Sequence, residues 1–260
     1  MPPIPQKSDF PSTLTLSITP PPAAPSTPRS SNILLLLHGL GDTLDPFTSF
    51  ATALHLPETT CITLQAPHPL PFDMPGFHWG DDIQFQPENL DPDPGFARAT
   101  AMVVSVVIGD VLVGKLGYRI RQIMVLGYGQ GASVALSVGM EVRRKFDGQE
   151  GELGGIIALG GVVPLSAVRE SAAGGGGATA GAKSRTPVLL VGGEGRESEV
   201  HEAGVQRTKG EFKFVEVVKW RGRRGDGMPR NREEMLPIMQ FFARRLRSRS
   251  GVPEGSVEIS

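Results

Sequence analysis

The chain has 260 residues, of which 39% are hydrophobic and 20% are charged, and its formal net charge at pH 7 is −1. That length and composition are typical of one globular domain with a full hydrophobic core. The near-zero net charge argues against nucleic acid or an anionic membrane as a partner, because both select basic proteins. Cys61 is the one cysteine, so the chain forms no internal disulfide and no cysteine-rich zinc site. We therefore expect no metal centre and predict a cytoplasmic protein.

The ends and two internal segments are predicted to lie outside the packed structure. The N-terminus lacks the charged and then apolar pattern of a signal peptide, and the apolar runs are shorter than the ~20 residues that span a membrane. We interpret residues 1–9 as a flexible N-terminus, residues 10–247 as one domain and residues 248–260 as a disordered tail. Within the domain, residues 19–32 (Pro- and Ser-rich) and residues 171–185 (Gly- and Ala-rich) predict flexible loops.

Short apolar segments recur along the domain and predict the strands of a sheet. ILLLLHG at residues 33–39 is a continuous apolar run, which fits a strand buried on both faces of a parallel sheet. The alternating segment at residues 13–18 predicts an early or edge strand. The other candidate strands are residues 61–67, 123–127, 155–161, 186–193 and 212–218.

Helical candidates lie between these strands. An acidic cap and a proline, Asp45 and Pro46, open the first candidate, as helix starts often do. Pro237 lies inside the last candidate and predicts a kink or a restart there. The candidates are residues 45–56, 95–117, 130–146 and 233–248. Strands alternating with helices predict an α/β protein whose mostly parallel sheet is covered by helices on both faces.

Glycine-rich turns follow two of the candidate strands, in LLLLHGLGD (residues 34–42) and LGYGQGA (residues 126–132). In this order they resemble the phospholipase/carboxylesterase group of α/β-hydrolases, which includes acyl-protein thioesterases. QAPHPLP (residues 65–71), GFHWGDD (residues 76–82) and ALGGVVP (residues 158–164) are similar to further segments of that family. The segment DGMPRNREEMLPIMQFFARRL resembles a fungal branch of the group. The resemblance implies an α/β-hydrolase fold, ester or thioester hydrolysis and no cofactor.

The resemblance also implies a Ser-His-Asp triad in that chain order, and none of its three positions carries the required side chain. Gly129 stands at the nucleophile position, where glycine has no group that can attack a carbonyl. Residues 219–231, the loop that would hold the histidine, contain none, and the last histidine, His201, comes too early. Arg196 stands at the acid position. Glu194 lies two residues earlier, and Glu197 or Glu199 can supply a carboxylate in a shifted register.

Other parts of the implied site persist. The resemblance assigns the oxyanion-hole donors to the backbone amides of Leu40 and Gln130, which lie in the retained HGLGD and GYGQG turns. Backbone amides at a helix start favour an anion whatever the neighbouring side chains are. Residues that the resemblance places along the cleft are His38, Asp42, Trp79 and Tyr128. Of these, His38 is expected to act mainly as a structural residue of its turn.

We therefore interpret the chain as a catalytically degenerate hydrolase, a pseudoenzyme that binds an acyl-like or anionic ligand, or a protein partner, in the inherited cleft. One alternative is an active carboxylic-ester or thioester hydrolase that uses displaced residues, such as Ser133 with His78 or His201. The other is a nucleotide-binding module, because residues 127–132 match G-x-G-x-x-A between a strand and a helix.

The segment before the last helix is unusually basic, with six basic residues at residues 219–232. A solvated basic loop is the simplest interpretation. A salt-bridged clamp to the acids of residues 81–93 and a binding site for an anionic ligand are the alternatives. Aromatic residues are not interleaved with these charges beyond Trp220, which argues against nucleic-acid binding.

Overall fold

The computed structural model describes residues 2–22, 30–82, 85–86, 89–90, 93–146, 151–173 and 183–248. In chain order the strands are β1 (Leu16–Thr19), β2 (Asn32–Leu37), β3 (Thr59–Leu64), β4 (His68–Pro69), β5 (Phe77–His78), β6 (Phe85–Gln86), β7 (Asn89–Leu90), β8 (Ile123–Tyr128), β9 (Gly155–Leu159), β10 (Val188–Gly193) and β11 (Val215–Trp220). Seven of them form the main sheet, in the order β1-β3-β2-β8-β9-β10-β11. The other four form two short antiparallel hairpins, β4-β5 and β6-β7.

The main sheet is parallel except at one edge. β1 pairs with β3 in the antiparallel sense, and the pairs among β3, β2, β8, β9, β10 and β11 are all parallel. This confirms the predicted edge strand near the N-terminus, whose bounds are Leu16–Thr19. The last strand begins later than predicted, at Val215, and it forms the opposite edge of the sheet.

Six helices cover the described part of the sheet. They are α1 (Leu44–Leu54), α2 (Ala97–Lys115), α3 (Gln130–Lys145), α4 (Leu165–Ala173), α5 (Glu202–Glu211) and α6 (Arg232–Arg245). Short 3₁₀ turns lie at Lys7–Asp9 and Ile120–Gln122. The α4 and α5 helices were not among the predicted elements. Helix α6 runs through Pro237 in one piece, so the predicted restart at this proline is wrong.

Two hydrophobic cores lie on opposite faces of the sheet, and β2 contributes to both. Ile33, Leu35 and Leu37 point into one core, whereas Leu34 and Leu36 point into the other. All five side chains are fully buried, because helices cover both faces of this strand. The first core contains side chains from α2, α3 and α5, and the second contains side chains from α1 and α6. The predicted α/β architecture with helices on both faces is thereby confirmed.

Helix α2 is the longest apolar segment of the described chain. It has 19 residues with a mean hydropathy of 1.7, so its length and composition would allow it to cross a membrane. That differs from the prediction that every apolar run is too short. Its Val103, Val104, Val107 and Ile108 are nevertheless fully buried in the first core, as expected of a helix that covers a sheet. From Met102 to Lys115 the helix has π geometry, which is rare at this length.

Individual contacts are present within two of the segments that were predicted to be flexible. The Tyr118 hydroxyl donates a hydrogen bond of 3.0 Å to the Pro3 carbonyl, which fastens the N-terminal segment to the domain. Ser184, inside the predicted 171–185 loop, is buried and pairs with the segment before β11. The remaining parts of these predictions, at residues 23–29, 174–182 and 249–260, lie outside the described residues.

Because β2, β8, β9, β10 and β11 are parallel neighbours, the loops that follow them lie at one edge of the sheet. Ligand sites of open α/β sheets form at this carboxyl edge. The two glycine-rich turns follow β2 and β8, so the sheet brings them together. The loops after β10 and β11, which the sequence associates with the acid and the histidine, lie further along the same edge.

Candidate active site: a strand-to-helix turn without a nucleophile

Strand β8 turns sharply into helix α3 at a single residue, Gly129. Its backbone angles are φ 54° and ψ −119°, a left-handed conformation that glycine adopts readily and other residues adopt at a cost. The Gly129 amide donates a hydrogen bond of 2.9 Å to the Leu159 carbonyl of β9. Its own carbonyl accepts from Ala132 and Ser133 at 3.0 and 3.2 Å, which closes the first turn of α3.

The flanking glycines are required by close packing, whereas Gly129 is not. A Cβ at Gly127 would overlap the Gly131 carbonyl, and a Cβ at Gly131 would overlap the Leu37 carbonyl at the end of β2. A Cβ at Gly129 would meet only the Gly39 Cα, at 3.8 Å, which is an ordinary contact. The turn therefore has room for a side chain at its tip, and the chain supplies none.

The two backbone amides that the sequence assigns to an oxyanion hole are available. Among the described residues, neither the Leu40 amide nor the Gln130 amide donates a hydrogen bond to a protein acceptor. Gln130 is the first residue of α3, where backbone N–H groups lack intrahelical partners. A Cβ added at Gly129 would lie 3.8 Å from the Gly39 Cα, so the two turns lie against each other.

His38 and Trp79 lie beneath this surface, with 0% exposure. The His38 Nε2 accepts a hydrogen bond from the Ala66 amide at 3.0 Å, so Nδ1 carries the proton and donates to the Gly39 carbonyl at 2.7 Å. Burial lowers the pKa of His38, which favours this neutral form. The Trp79 indole donates to the His38 carbonyl at 2.8 Å. Both side chains support the HGLGD turn and do not line an open cleft.

Asp42 and Tyr128 remain partly exposed beside Gly129. The Asp42 carboxylate accepts a hydrogen bond of 3.1 Å from the Gly39 amide, and the Tyr128 ring stacks on Phe47 with centroids 6.5 Å apart. Burial raises the pKa of Tyr128, and the negative charges of Asp42 and Asp226 raise it further. At the Tyr128 hydroxyl these two negative charges outweigh the positive charge of Arg223, which acts in the opposite direction.

Asp226 is the site residue that the sequence did not indicate. It follows β11, in the loop where the family would place its histidine. It packs closely against Gly160, because a Cβ added at Gly160 would lie 2.5 Å from the Asp226 Cβ. Its Oδ1 accepts hydrogen bonds from the Gly193 amide at 2.9 Å and from the Ser198 hydroxyl at 2.7 Å. Its Oδ2 accepts from the Glu199 amide at 2.7 Å. A carboxylate thus stands at the loop after β10, but it comes from the neighbouring loop.

Lys219 of β11 strengthens the same junction. Its ammonium donates to the Gly193 carbonyl at 3.0 Å and also to the Val200 carbonyl. Burial lowers the pKa of Lys219, while the charge of Asp226 opposes this effect. Asp226 and Lys219 together tie the loops after β10 and β11 to each other, which is a structural role.

The residues that the sequence offers for the acid position have exposed side chains, although the Glu199 backbone amide belongs to this junction. Arg196 is exposed in the turn after β10. The side chains of Glu194, Glu197 and Glu199 are also exposed, and of these Glu194 accepts a hydrogen bond of 3.3 Å from the Gly222 amide.

The displaced residues proposed for an active hydrolase are not brought together. The Ser133 hydroxyl donates to the Val162 carbonyl at 3.3 Å. His201 caps α5 by accepting from the Gly204 amide at 3.0 Å, and His78 packs against His68 with ring centroids 5.2 Å apart. In the part of the chain that the structure describes, no histidine hydrogen-bonds to a hydroxyl or thiol. In the same part, no group of three or more His, Cys, Asp or Glu side chains can hold a metal ion.

The basic loop makes one buried ion pair, and its partner is not in residues 81–93. The Arg223 Nη1 lies 3.0 Å from the Glu234 Oε2 in α6, and the two side chains are only 7% and 12% exposed. The guanidinium also lies 4.6 Å from the centroid of the Trp220 ring. Asp81, an acid of the predicted clamp, pairs instead with Arg98. Among the described residues, the clamp between the basic loop and residues 81–93 does not form.

The parallel sheet covered on both faces, with a sharp strand-to-helix turn at its carboxyl edge, defines an α/β-hydrolase fold. The phospholipase/carboxylesterase family profile matches residues 23–194, which is more than half of the chain. The chain therefore belongs to the phospholipase/carboxylesterase family, as its motifs predict.

Two fungal relatives and two solved structures agree with this assignment. The chain is 37% identical over 140 residues to an uncharacterized hydrolase of Schizosaccharomyces pombe, covering 52% of this chain and 55% of that protein. It is 31% identical over 225 residues to an uncharacterized hydrolase of Mycosarcoma maydis, covering 84% of this chain and 78% of that protein. Acyl-protein thioesterase 2 of Zea mays has a TM-score of 0.61 at 18% identity, and esterase PE8 has 0.62 at 18%. Both matches cover 90% of this chain and 99% of the other, and they show the shared fold.

Proposed function

We propose that this protein binds a neutral acyl-like ligand at the turn between β8 and α3 and does not cleave it by the covalent mechanism of its family. The observation that carries the proposal is Gly129. It stands at the tip of a retained strand-to-helix turn, where a nucleophile would face the cleft, and it has no side chain. Covalent ester hydrolysis needs an oxygen or sulfur nucleophile with a base beside it.

The retained amides determine which part of a ligand fits. The Leu40 and Gln130 amides have no protein acceptor among the described residues, so both can donate to one oxygen atom placed between the two turns. The carbonyl oxygen of an ester, thioester or amide suits two such donors. The structural neighbours include a thioesterase and an esterase, which supports a carbonyl-containing ligand.

The charges around the turn favour a neutral ligand over an anionic one. The carboxylates of Asp42 and Asp226 raise the pKa of Tyr128, so the field at the Tyr128 hydroxyl is negative. The positive charge of Arg223 lowers the pKa of Tyr128, but this is the smallest of the effects, and Arg223 is paired with Glu234 at 3.0 Å. An anion in this cleft would therefore be repelled, whereas an uncharged acyl group would keep its hydrogen bonds to the amides.

The absence of covalent chemistry is tested with a fluorophosphonate probe and p-nitrophenyl butyrate. We expect neither labelling nor turnover by the purified wild-type protein, and neither by Gly129→Ser, because the variant regains a hydroxyl without a histidine base. A protein preparation boiled before assay controls for spontaneous hydrolysis. Esterase activity that stays with the wild-type protein through two chromatographic steps would overturn the proposal.

Ligand binding is tested separately with an uncleavable amide, N-butylhexanamide, and with hexanoate as its anionic counterpart. We expect the amide, and not hexanoate, to raise the unfolding temperature. Leu40→Pro removes one of the two amide donors, while Leu40→Ala keeps it, so binding is expected to weaken about tenfold in the first variant only. Equal binding by both variants, or stronger binding of hexanoate, would contradict the assignment of the two amides.

A further inference from the structure

Two histidines stand directly opposite each other on the hairpin β4-β5. His68 and His78 are Cα partners in its antiparallel pair, and opposite residues of such a pair place their side chains on the same face. Their ring centroids lie 5.2 Å apart, with 33° between the ring planes. Neither ring takes part in the turn at Gly129, so the pair is available for a separate function.

The separation of the two rings fits a single tetrahedral metal ion between them. A zinc ion lies ~2.0–2.1 Å from an imidazole nitrogen, which places it ~3.2 Å from the ring centroid. Two rings bound at the tetrahedral angle of ~109° then have centroids ~5.2 Å apart, whereas two rings at a right angle have centroids ~4.5 Å apart. The observed 5.2 Å agrees with the tetrahedral arrangement that zinc prefers.

Both rings have a nitrogen available for a metal ion. In the described part of the chain, the His68 imidazole makes no hydrogen bond. The Nδ1 of His78 is buried, so Nε2 is the nitrogen that this ring presents to the open cavity that it lines. Burial lowers the pKa of His78, which favours the neutral imidazole, and the neutral form is the one that binds metal.

The cavity beside the two rings has room for water and carries more negative than positive charge. Its volume is about 390 Å³, and its charged side chains are Asp81, Asp82 and Arg98. Asp81 holds Arg98 at 3.3 Å, so this guanidinium is neutralised. Asp82 is exposed, and its carboxylate bonds to no described residue. The remaining charge of the wall is therefore negative, which favours a cation.

We propose that His68 and His78 form a zinc site on the hairpin β4-β5, with water molecules as the remaining ligands. No cluster of three or more metal-binding side chains occurs among the described residues, which agrees with an open, exchangeable site and not with a closed structural one. The sequence expectation of no metal centre rested on the single cysteine, and a site of two imidazoles needs none.

The ion would join the two strands of a hairpin that supports the HGLGD turn. The Phe77 carbonyl of β5 accepts from the Gly41 amide at 2.9 Å, and the Phe77 amide donates to the Asp42 carbonyl at 3.0 Å. Zinc at the neighbouring His78 therefore stabilises the strand to which the HGLGD turn is bonded.

The test titrates zinc chloride into the chelator-treated full chain at pH 7.5 by isothermal titration calorimetry. We expect one zinc ion per chain, a rise in unfolding temperature with zinc, and no binding of Mg²⁺, which prefers oxygen ligands. Proton–nitrogen NMR of the imidazole rings is expected to show a zinc-dependent shift at the His78 Nε2. Zinc binding without a shift at either ring would overturn the proposal.

Substitution of each histidine checks the location of the site. His68→Asn and His78→Asn are each expected to weaken zinc binding by about tenfold or more. His68 is partly exposed, so His68→Asn is expected to keep the unfolding temperature of the zinc-free protein, which separates loss of a ligand from loss of the fold. The control is His55→Asn, at an exposed position with φ 49°, a conformation that asparagine tolerates. Unchanged zinc affinity in His68→Asn, or the same loss in His55→Asn, would contradict the assignment.

Discussion

At the scale of single residues, the three glycines of the turn after β8 have different roles, although each lies only two positions from the next. Gly127 and Gly131 are needed because a Cβ at either position would overlap a carbonyl oxygen. Gly129 has space around it, and its left-handed backbone alone disfavours another residue, by ~1–3 kcal/mol. In the sequence, the three glycines of the G-x-G-x-G pattern look equivalent. Only the packing around each glycine shows that their roles differ.

This difference gives a matched pair of substitutions. Gly131→Ala is expected to lower the free energy of unfolding by about 3 kcal/mol, because the new methyl group must displace the Leu37 carbonyl at the end of β2. Gly210→Ala, in α5, meets nothing within 4 Å and is expected to raise it by ~0.5–1 kcal/mol, because alanine favours helix. Urea denaturation measures both. Similar values for the two variants would contradict the packing described for the turn.

The positions of Gly129, Leu40 and Gln130 could be predicted because each lies in a short contiguous motif. Asp226 could not, because its function depends on Gly193, Ser198 and Glu199, which precede it by about thirty residues. Within its own loop the sequence shows only an aspartate between glycines, which is typical of any turn. Contacts between distant loops are set by the sheet order, which a single sequence does not give.

At the scale of elements, the loop between β11 and α6 is fixed at two points. Asp226 bonds to the loop after β10, and Arg223 pairs with Glu234 in the first turn of α6. The Glu234 carboxylate also accepts from the Arg230 amide at 2.7 Å, and Arg223 donates to the Met228 carbonyl at 3.0 Å. Of the six basic residues of the segment 219–232, Arg223 and Lys219 thus have structural roles, which the count of charges did not reveal.

Breaking this pair is expected to be costly. Arg223→Met leaves the Glu234 carboxylate nearly buried without its cation, so we expect the free energy of unfolding to fall by about 3 kcal/mol. Arg244→Met is the control, because the pair of Arg244 with Glu216 is about half exposed and is worth ~0–1 kcal/mol. Chemical denaturation of the two variants measures the difference. An equal loss in both would mean that Arg223 contributes no more than a surface charge.

Elements with strong apolar periodicity were predictable, and elements with weak periodicity were not. Helix α3 begins at Gln130, as predicted, because the glycine turn and the apolar face both mark it. Helices α4 and α5 were missed, since α4 is short and α5 is mostly polar with only Gly204, Val205 and Thr208 buried. The restart predicted at Pro237 does not occur: α6 continues through the proline, its sixth residue, although proline there cannot donate a backbone hydrogen bond.

At the scale of the whole molecule, two buried histidines link stability to pH. Burial lowers the pKa of His38 below its ordinary value of 6.5. Burial also lowers the pKa of His78, with the charges of His68 and Arg98 acting in the same direction. The unfolded chain therefore takes up protons at a higher pH than the folded protein does.

The contribution of these histidines to stability is expected to be fully present above about pH 6.5 and to be lost as the pH falls below that value. Urea denaturation at pH 7.5, 6.5 and 5.5 measures it. His78→Gln should reduce the dependence on pH, because it removes one of the two buried imidazoles. A steeper loss of stability in His78→Gln than in the wild-type protein would contradict the stated sign.

The α/β architecture could be predicted from the continuous apolar run of β2, because a strand buried on both faces needs helices on both sides. The full order of the strands did not follow: the alternation at residues 13–18 favoured an edge position for β1, but nothing local placed β11 at the opposite edge. The edge positions depend on how the other strands pair with one another, which neither segment reveals by itself.

The two tryptophans of the chain lie on either side of the turn at Gly129, so the intrinsic fluorescence of the protein reports on both sides. The Trp79 indole is fully buried and bonds to the His38 carbonyl, whereas the Trp220 indole is 4% exposed and bonds to the Glu234 carbonyl at 3.2 Å. A change in the HGLGD turn therefore alters the fluorescence of one indole, and a change in the loop before α6 alters that of the other. Trp220→Phe isolates the first signal, so movements on the two sides can be timed separately without an attached dye.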